Sequence, residues 1–236
     1  RNMLFRNNFS YNQGGAIYAE NSESRFVACN FTNNKTIQFD GGAVNFVYSN
    51  IKMYNCVFWM NQATRFGGAI TTVESDLLVQ NGTFVGNIGG SNIFQFSTSG
   101  TISINNCIFT DDNTAPAVLG SSGATANFRE CLMPQDNNWL ILCPTCWPGT
   151  ATFVNPSAGD FQLMAGSEGI DDTLTVAPVN DYLDIIGNPR LVGYSMDLGA
   201  YEFQGNVAIE SPHSNLDLTV YPNPTSEVLK VQTSTP

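Results

Sequence analysis

Phe31-Thr32-Asn33-Asn34, followed seven residues later by Gly41-Gly42-Ala43-Val44, is the stretch that decides the fold, because both motifs recur. Phe-x-x-Asn stands at Phe5–Asn8, Phe31–Asn34, Phe58–Asn61 and Phe84–Asn87, with Phe109–Asp112 as a variant. The glycine motif recurs at Gly14-Gly15-Ala16-Ile17 and Gly67-Gly68-Ala69-Ile70, and Gly89-Gly90 is a degenerate copy. The Phe steps are 26, 27, 26 and 25 residues. Two independent motifs sharing one period establish an internal repeat, and a period in the range of about 20–50 residues is the signature of a stacked architecture.

The segments before each Phe align on a Cys column: Cys29, Cys56, Gly82, Cys107, Cys131. Three residues earlier every row is apolar (Phe26, Met53, Val79, Ile104, Phe128), and five earlier most are (Ile51, Leu77, Ile102, Ala126, with Ser24 the exception). The positions between vary freely, which is the period of two of a strand with one buried face. If Cys and Phe also point inward, the alternation slips at the column before the Cys: Ala28, Asn55, Asn81, Asn106, Glu130. A corner residue there in the left-handed region accounts for the slip, and Asn tolerates that region better than other residues with a side chain. One period of this length cannot bury its own apolar face, whereas copies stacked at about 4.8 Å do so. The expectation is an all-β, right-handed parallel solenoid, the hand following from the usual hand of parallel crossovers.

Composition agrees. Of 236 residues, 27 are Asn, more than Asp and Glu together (20), and only 12% are charged. Helical bundles and coiled coils are rich in Ala, Glu, Lys and Leu instead. No apolar run reaches the roughly 18 residues of a membrane helix, so no transmembrane segment is expected. Residues 1–135 carry seven Lys/Arg and eight Asp/Glu, net −1; residues 136–236 carry two and twelve, net −10, which together give −11. No basic patch is present to neutralise phosphates, which argues against nucleic acid and anionic membrane surfaces as partners.

The GGA-aliphatic and Phe-x-x-Asn pairing over residues 1–133 resembles the polymorphic outer-membrane-protein repeat of bacterial surface β-helices. That resemblance implies a right-handed β-helix displayed at a cell surface, and no particular activity. Residues 134–204 carry Gly159-Asp-Phe-Gln-Leu163, Gly166-Ser-Glu-Gly-Ile-Asp171, Gly187-Asn-Pro-Arg190 and Asp197-Leu-Gly-Ala-Tyr-Glu202. The series is similar to the terminal module of secreted bacterial β-helix proteins and implies irregular last coils that cap the stack, whose exposed strand edges need blunting. A linker is expected over 205–214. After it, the Val220-Tyr221-Pro222-Asn223-Pro224-Thr225 core resembles the opening of a type IX secretion C-terminal sorting domain. The sorting motif Tyr221, Pro222, Asn223 and Pro224 implies export through the type IX machinery of Bacteroidetes-type bacteria. Residues 215–236 would be the start of that β-sandwich, the chain being cut at both ends.

Candidate site residues are few. Cys143-Pro-Thr-Cys146 suits a loop-tightening disulfide or a pair of free thiols; the chain has no second C-x-x-C and one histidine, His213, so zinc is not expected. The Asp set (Asp160, Asp171, Asp172, Asp181, Asp184, Asp197) invites a calcium reading, but Asp also serves tight turns through side-chain-to-backbone bonds, and no D-x-D-x-D-G loop is present. Neither a metal nor a cofactor is assigned. Glycosidase chemistry needs paired carboxylates. The weak catalytic candidates are Asp111 and Asp112, adjacent residues that point oppositely if in a strand. Glu20 and Glu74, and Glu23 and Asp76, read as solvated turn acids. Tyr18, Tyr48, Tyr54 and Trp59 fall at outward or turn positions, where aromatic faces stack on sugar rings or protein partners. The favoured reading is an adhesin-like surface or secreted β-helix that binds extracellular glycans or proteins; the alternative is a polysaccharide lyase or glycoside hydrolase.

Overall fold

The computed structural model describes residues 1–96, 100–110, 118–120, 125–134, 143, 145–173, 183–205, 218–221 and 230–233. Three parallel sheets run along a stack of coils. Sheet I holds the short strands Leu4–Arg6, Asn30–Thr32, Val57–Trp59, Thr83–Val85, Ile108–Phe109, Leu132–Met133 and Trp147–Pro148. Sheet II holds Ile17–Glu20, Val44–Val47, Ile70–Val73, Ile93–Phe96 and Val118–Gly120, and sheet III holds Glu23–Val27, Asn50–Tyr54, Asp76–Gln80, Thr101–Asn105 and Thr125–Arg129. Each coil passes through I, II and III, and every neighbouring pair within these sheets is parallel and in register, as in Phe31↔Phe58 and Phe26↔Met53. The all-β solenoid expected from the repeat is the fold. Among the described residues no helix is long and apolar enough to cross a membrane.

The predicted corner column is left-handed throughout: φ is 52° at Ala28, 51° at Asn55, 55° at Asn81, 53° at Asn106 and 53° at Glu130. The slip of alternation there turns Cys29, Cys56, Cys107 and Cys131 inward, and all four are fully buried free thiols. Burial pushes the Cys56 and Cys107 thiols well above their ordinary range, because a thiolate would lie in an apolar medium. Cys146 extends the column. The Leu132↔Trp147 register sets it one rung beyond Cys131, and the Trp147 N–H donates to the Cys131 carbonyl at 2.9 Å. The C-x-x-C pair, read from sequence as separate from the column, is thus part of the stack, with Cys143 and Cys146 joined as a disulfide.

Two ladders hold the coils in register. The inward Phe rings of sheet I stack with centroids 4.8, 4.8, 4.9 and 4.6 Å apart from Phe5 through Phe31, Phe58, Phe84 and Phe109. Three residues on, Asn34, Asn61 and Asn87 of the Phe-x-x-Asn motifs lie inside the solenoid. The Asn61 carboxamide oxygen accepts from the Asn34 main-chain N–H (3.0 Å) and from Asn34 Nδ2 (2.9 Å). Its own Nδ2 donates to the Phe31 carbonyl (2.8 Å) and to Asn87 Oδ1 (3.0 Å). Stacked Asn and aromatic ladders need identical groups at one spacing, which parallel in-register coils supply. The glycine motif allows backbones to touch: a Cβ on Gly42 would lie 2.0 Å from the Gly68 carbonyl oxygen and 2.6 Å from the Gln62 backbone.

The chain leaves the stack after Pro148 and runs back along it. An antiparallel pair, Phe153–Asn155 with Asp160–Leu163, and the described residues from there to Gln204 form a strap on the outer face of sheet I. Val57, Ile108 and Leu132 on that face bury against Phe153, Phe161, Leu163, Leu198 and Tyr201. Polar ties add to this: the Ala200 N–H donates to Thr83 Oγ1 (2.9 Å), the Gly199 N–H to the Asn106 carbonyl (2.9 Å), and Asn55 Nδ2 to the Leu183 carbonyl (2.9 Å). Where sequence led to an expectation of irregular last coils over 134–204, the described residues continue the stack for one rung, Trp147–Pro148, and then lie along its side. Residues 205–236 form a second unit, whose described part is an antiparallel pair, Leu218–Tyr221 with Lys230–Thr233.

The Asn ladder carries a testable cost. Asn61→Ala orphans the Asn34 N–H in the interior and removes the Nδ2 from which the Phe31 carbonyl and Asn87 Oδ1 both accept. At about 1–3 kcal/mol for each buried group left unpaired, the variant is expected to lose on the order of 3 kcal/mol. Urea denaturation of both proteins measures it, and a loss below about 0.5 kcal/mol would show that the ladder does not hold the coils.

Candidate functional site

The corner between sheets II and III forms an open polar groove. The first three sheet II strands are each followed by a residue in the left-handed region: Asn21 (φ 49°), Tyr48 (φ 48°) and Glu74 (φ 45°). A serine follows each, and these serines cross-link the coils. The Ser22 N–H donates to Ser49 Oγ (3.0 Å) and the Ser49 N–H to Ser75 Oγ (2.9 Å). The Ser49 and Ser75 hydroxyls donate back to the carbonyls of Val47 and Val73, both at 2.7 Å. With these three coils fixed this way, the next residues, Glu23, Asn50 and Asp76, stand in register on the outside. The result is a groove of about 540 Å³ lined by Tyr48, Glu23, Glu74, Asp76, Asn50 and their neighbours.

Tyr48 is the aromatic platform of this groove, 58% exposed. Tyr18 is also exposed, on the outer face of sheet II, with its hydroxyl donating to Glu20 Oε2 at 3.3 Å. The carboxylates stand in a row along the stack: Glu23 and Asp76 are two rungs apart, about 10 Å at the strand spacing. Asp76 Oδ1 accepts the Thr101 N–H at 2.9 Å. Carboxylates, amides and hydroxyls beside an exposed ring suit a polyhydroxylated ligand, whose hydroxyls donate to the acids while a ring face stacks on the tyrosine.

The other two aromatic candidates need correction. Tyr54 is buried, packed with Val27, Ala28 and the strap residue Ile185, and the Arg25 guanidinium sits 5.1 Å from its ring centre. Trp59 is half-buried, edge-on to Phe161 at 5.5 Å. Both point outward as alternation predicts; the strap covers them. A sequence signal existed. The outward positions of sheet I run Leu4, Arg6, Asn30 and Thr32 in the first coils, three of the four polar, then Val57, Trp59, Thr83, Val85, Ile108 and Leu132, five of the six apolar. That change from polar to apolar marks where a cover begins. Asp111 and Asp112 lie outside the described residues, as do Pro222, Asn223 and Pro224; Tyr221 ends its strand. Among the described residues no group of three or more His, Cys, Asp or Glu is placed to hold a metal ion.

The model of the right-handed beta helix region matches residues 1–133, the segment that carries the ladders. The chain belongs to the right-handed β-helix family. No curated protein and no solved structure is similar enough to match it.

The strap's aspartates act within this β-helix as backbone acceptors. Asp171 Oδ1 takes the N–H groups of Tyr194 and Ser195, and Asp184 Oδ1 takes those of Ile186 and Asn188. At the centre lies Arg190, 1% exposed, donating to the carbonyls of Gly199 (3.0 Å) and Asp197 (2.9 Å), with its Nε 3.9 Å from Glu202 Oε2. Glu202 accepts the N–H groups of Val192 and Asp197. Burial pushes Glu202 up to about 8, with the nearby Asp197 charge adding to it, and burial pushes Asp197 up to about 6; backbone N–H groups and Arg190 pull both partly back.

Folded-state values above the unfolded ones mean that the folded protein binds extra protons. Their stabilising contribution is complete below about pH 4–4.5 and is lost as pH rises through about 8. Thermal unfolding of the β-helix is therefore expected at a lower temperature at pH 8.5 than at pH 6, and Glu202→Gln should remove most of that slope. A midpoint that rises with pH over this range would contradict the assignment.

Proposed function

We propose that this β-helix is a surface or secreted binding protein of the adhesin type, which takes uncharged glycans along the groove at the corner of sheets II and III. The observation that carries the reading is Tyr48, which holds a left-handed backbone yet presents a ring 58% exposed in a groove of about 540 Å³. The left-handed region costs a residue with a Cβ roughly 1 kcal/mol or more; the corner imposes it on Asn21, Tyr48 and Glu74 alike, and of the three only Tyr48 sets an aromatic ring in the groove. The groove's charged groups are carboxylates, which accept from sugar hydroxyls and repel anionic chains. Export by a type IX route and an extracellular location belong to the same reading. They are supported by the Tyr221-Pro222-Asn223-Pro224 motif and by the antiparallel strand pair around it.

A glycan array read in parallel for reducing-end and unsaturated products tests this reading. Binding without product is expected, with affinity at least tenfold lower for Tyr48→Ala and largely retained for Tyr48→Phe. Turnover of a bound glycan, abolished by Asp111→Asn, would instead establish the lyase or hydrolase alternative. Protease accessibility on intact cells checks the location: digestion from outside is expected, and full protection would contradict it.

A further inference from the structure

The last described rung of sheet I sets a disulfide against a free thiol. Cys107, Cys131 and Cys146 occupy successive rungs of the inward column, and Cys146 is bonded to Cys143 while Cys131 is free. Three hydrogen bonds fix the register around this rung. The Glu130 N–H donates to Thr145 Oγ1 (3.3 Å), the Trp147 N–H to the Cys131 carbonyl (2.9 Å) and the Gly149 N–H to the Met133 carbonyl (2.8 Å). Cys131 and Cys146 therefore stand opposite each other, about 4.8 Å apart at the strand spacing. A disulfide bridges Cα atoms about 4–7 Å apart. Cys131 and Cys143 are buried in one interior cluster, and Cys146 is half-buried against it.

A thiol held beside a disulfide sulfur is the arrangement of thiol–disulfide exchange. The Cys131 thiolate attacks Cys146 Sγ. The Cys143–Cys146 bond breaks, its electron pair leaves on Cys143 Sγ, and Cys143 takes up the proton that Cys131 gave up. One disulfide and one thiol are present before and after, so neither an oxidant nor a reductant is consumed. A low-molecular-weight thiol carries the same change in two steps: it attacks Cys146 and releases Cys143, and Cys131 then displaces it. The two bonds constrain the chain differently. Cys143–Cys146 closes a local turn, its ends three positions apart. Cys131–Cys146 would join residues 15 positions apart on neighbouring rungs, stapling Trp147–Pro148 to the stack where the chain leaves it for the strap. The longer closed loop is the stronger constraint on the unfolded chain. We infer that Cys131 is the exchange partner of the Cys143–Cys146 disulfide, and that the β-helix has two disulfide states, one local and one that locks the last rung onto the solenoid.

The full chain, equilibrated with reduced and oxidised glutathione at pH 8, is quenched in acid, unfolded, alkylated and mapped by mass spectrometry. In the unaltered chain, peptides linked through Cys131 and Cys146, with Cys143 alkylated, are expected beside the Cys143–Cys146 form. Cys143→Ser removes the competing partner, so Cys131–Cys146 should become the main disulfide. The glutathione adduct on Cys146 should then be at least tenfold less abundant than in Cys143→Ser combined with Cys131→Ser, because a thiol held in place outcompetes one in solution. The linked Cys143→Ser chain should also melt several degrees above the same chain reduced. An adduct on Cys146 as abundant with Cys131 as without it, a Cys107–Cys131 bridge in place of Cys131–Cys146, or equal melting of linked and reduced chains would each overturn the assignment. So would the absence of the linked peptides from the unaltered chain, a result that does not depend on whether the variants fold.

Discussion

Everything in this molecule depends on one spacing. Strands of neighbouring coils lie one hydrogen bond apart, and each inward column must accept a copy of itself at that distance. Phe rings meet the condition by stacking nearly parallel, with interplanar angles of 5°, 2°, 6° and 9°. Asn meets it because a carboxamide carries both donor and acceptor, so every member of the column gives to one neighbour and receives from another. A charged column could not: like charges one rung apart repel, and in the interior they would also be desolvated. The low charge and high Asn content of the chain are consequences of this constraint.

Much of the fold is legible in the sequence for the same reason. A periodic structure prints each requirement several times, so the strand columns, the inward Cys and the corner column can be read by alignment of the chain with itself. The left-handed φ at Ala28, Asn55, Asn81, Asn106 and Glu130 follows from a single slip in alternation. The role of the Phe-x-x-Asn asparagine was less legible. Asn serves exposed turns and buried ladders alike, and only the register shows that Asn34 and Asn61 are interior.

The strap was hidden because it is not periodic. Its ties join residues 117 and 128 positions apart, such as Ala200 with Thr83 and Leu183 with Asn55. No local pattern fixes such pairs, and they decide which outward aromatics reach solvent. Tyr18 and Tyr48 do; Tyr54 and Trp59 are taken into strap contacts.

The central claim is that the interior ladders, rather than the corners, hold the coils together. Amide hydrogen exchange read residue by residue tests it most directly. The main-chain N–H groups of Asn34 and Asn61, each donated to the carboxamide of the next coil, should exchange only by global unfolding and rank with the slowest in the chain. Their protection should also fall together in Asn87→Ala, which removes the carboxamide that Asn61 leans on. If Asn34 and Asn61 exchange as fast as the corner amides of Asn21 and Tyr48, the ladder is a bystander and this account of the fold fails.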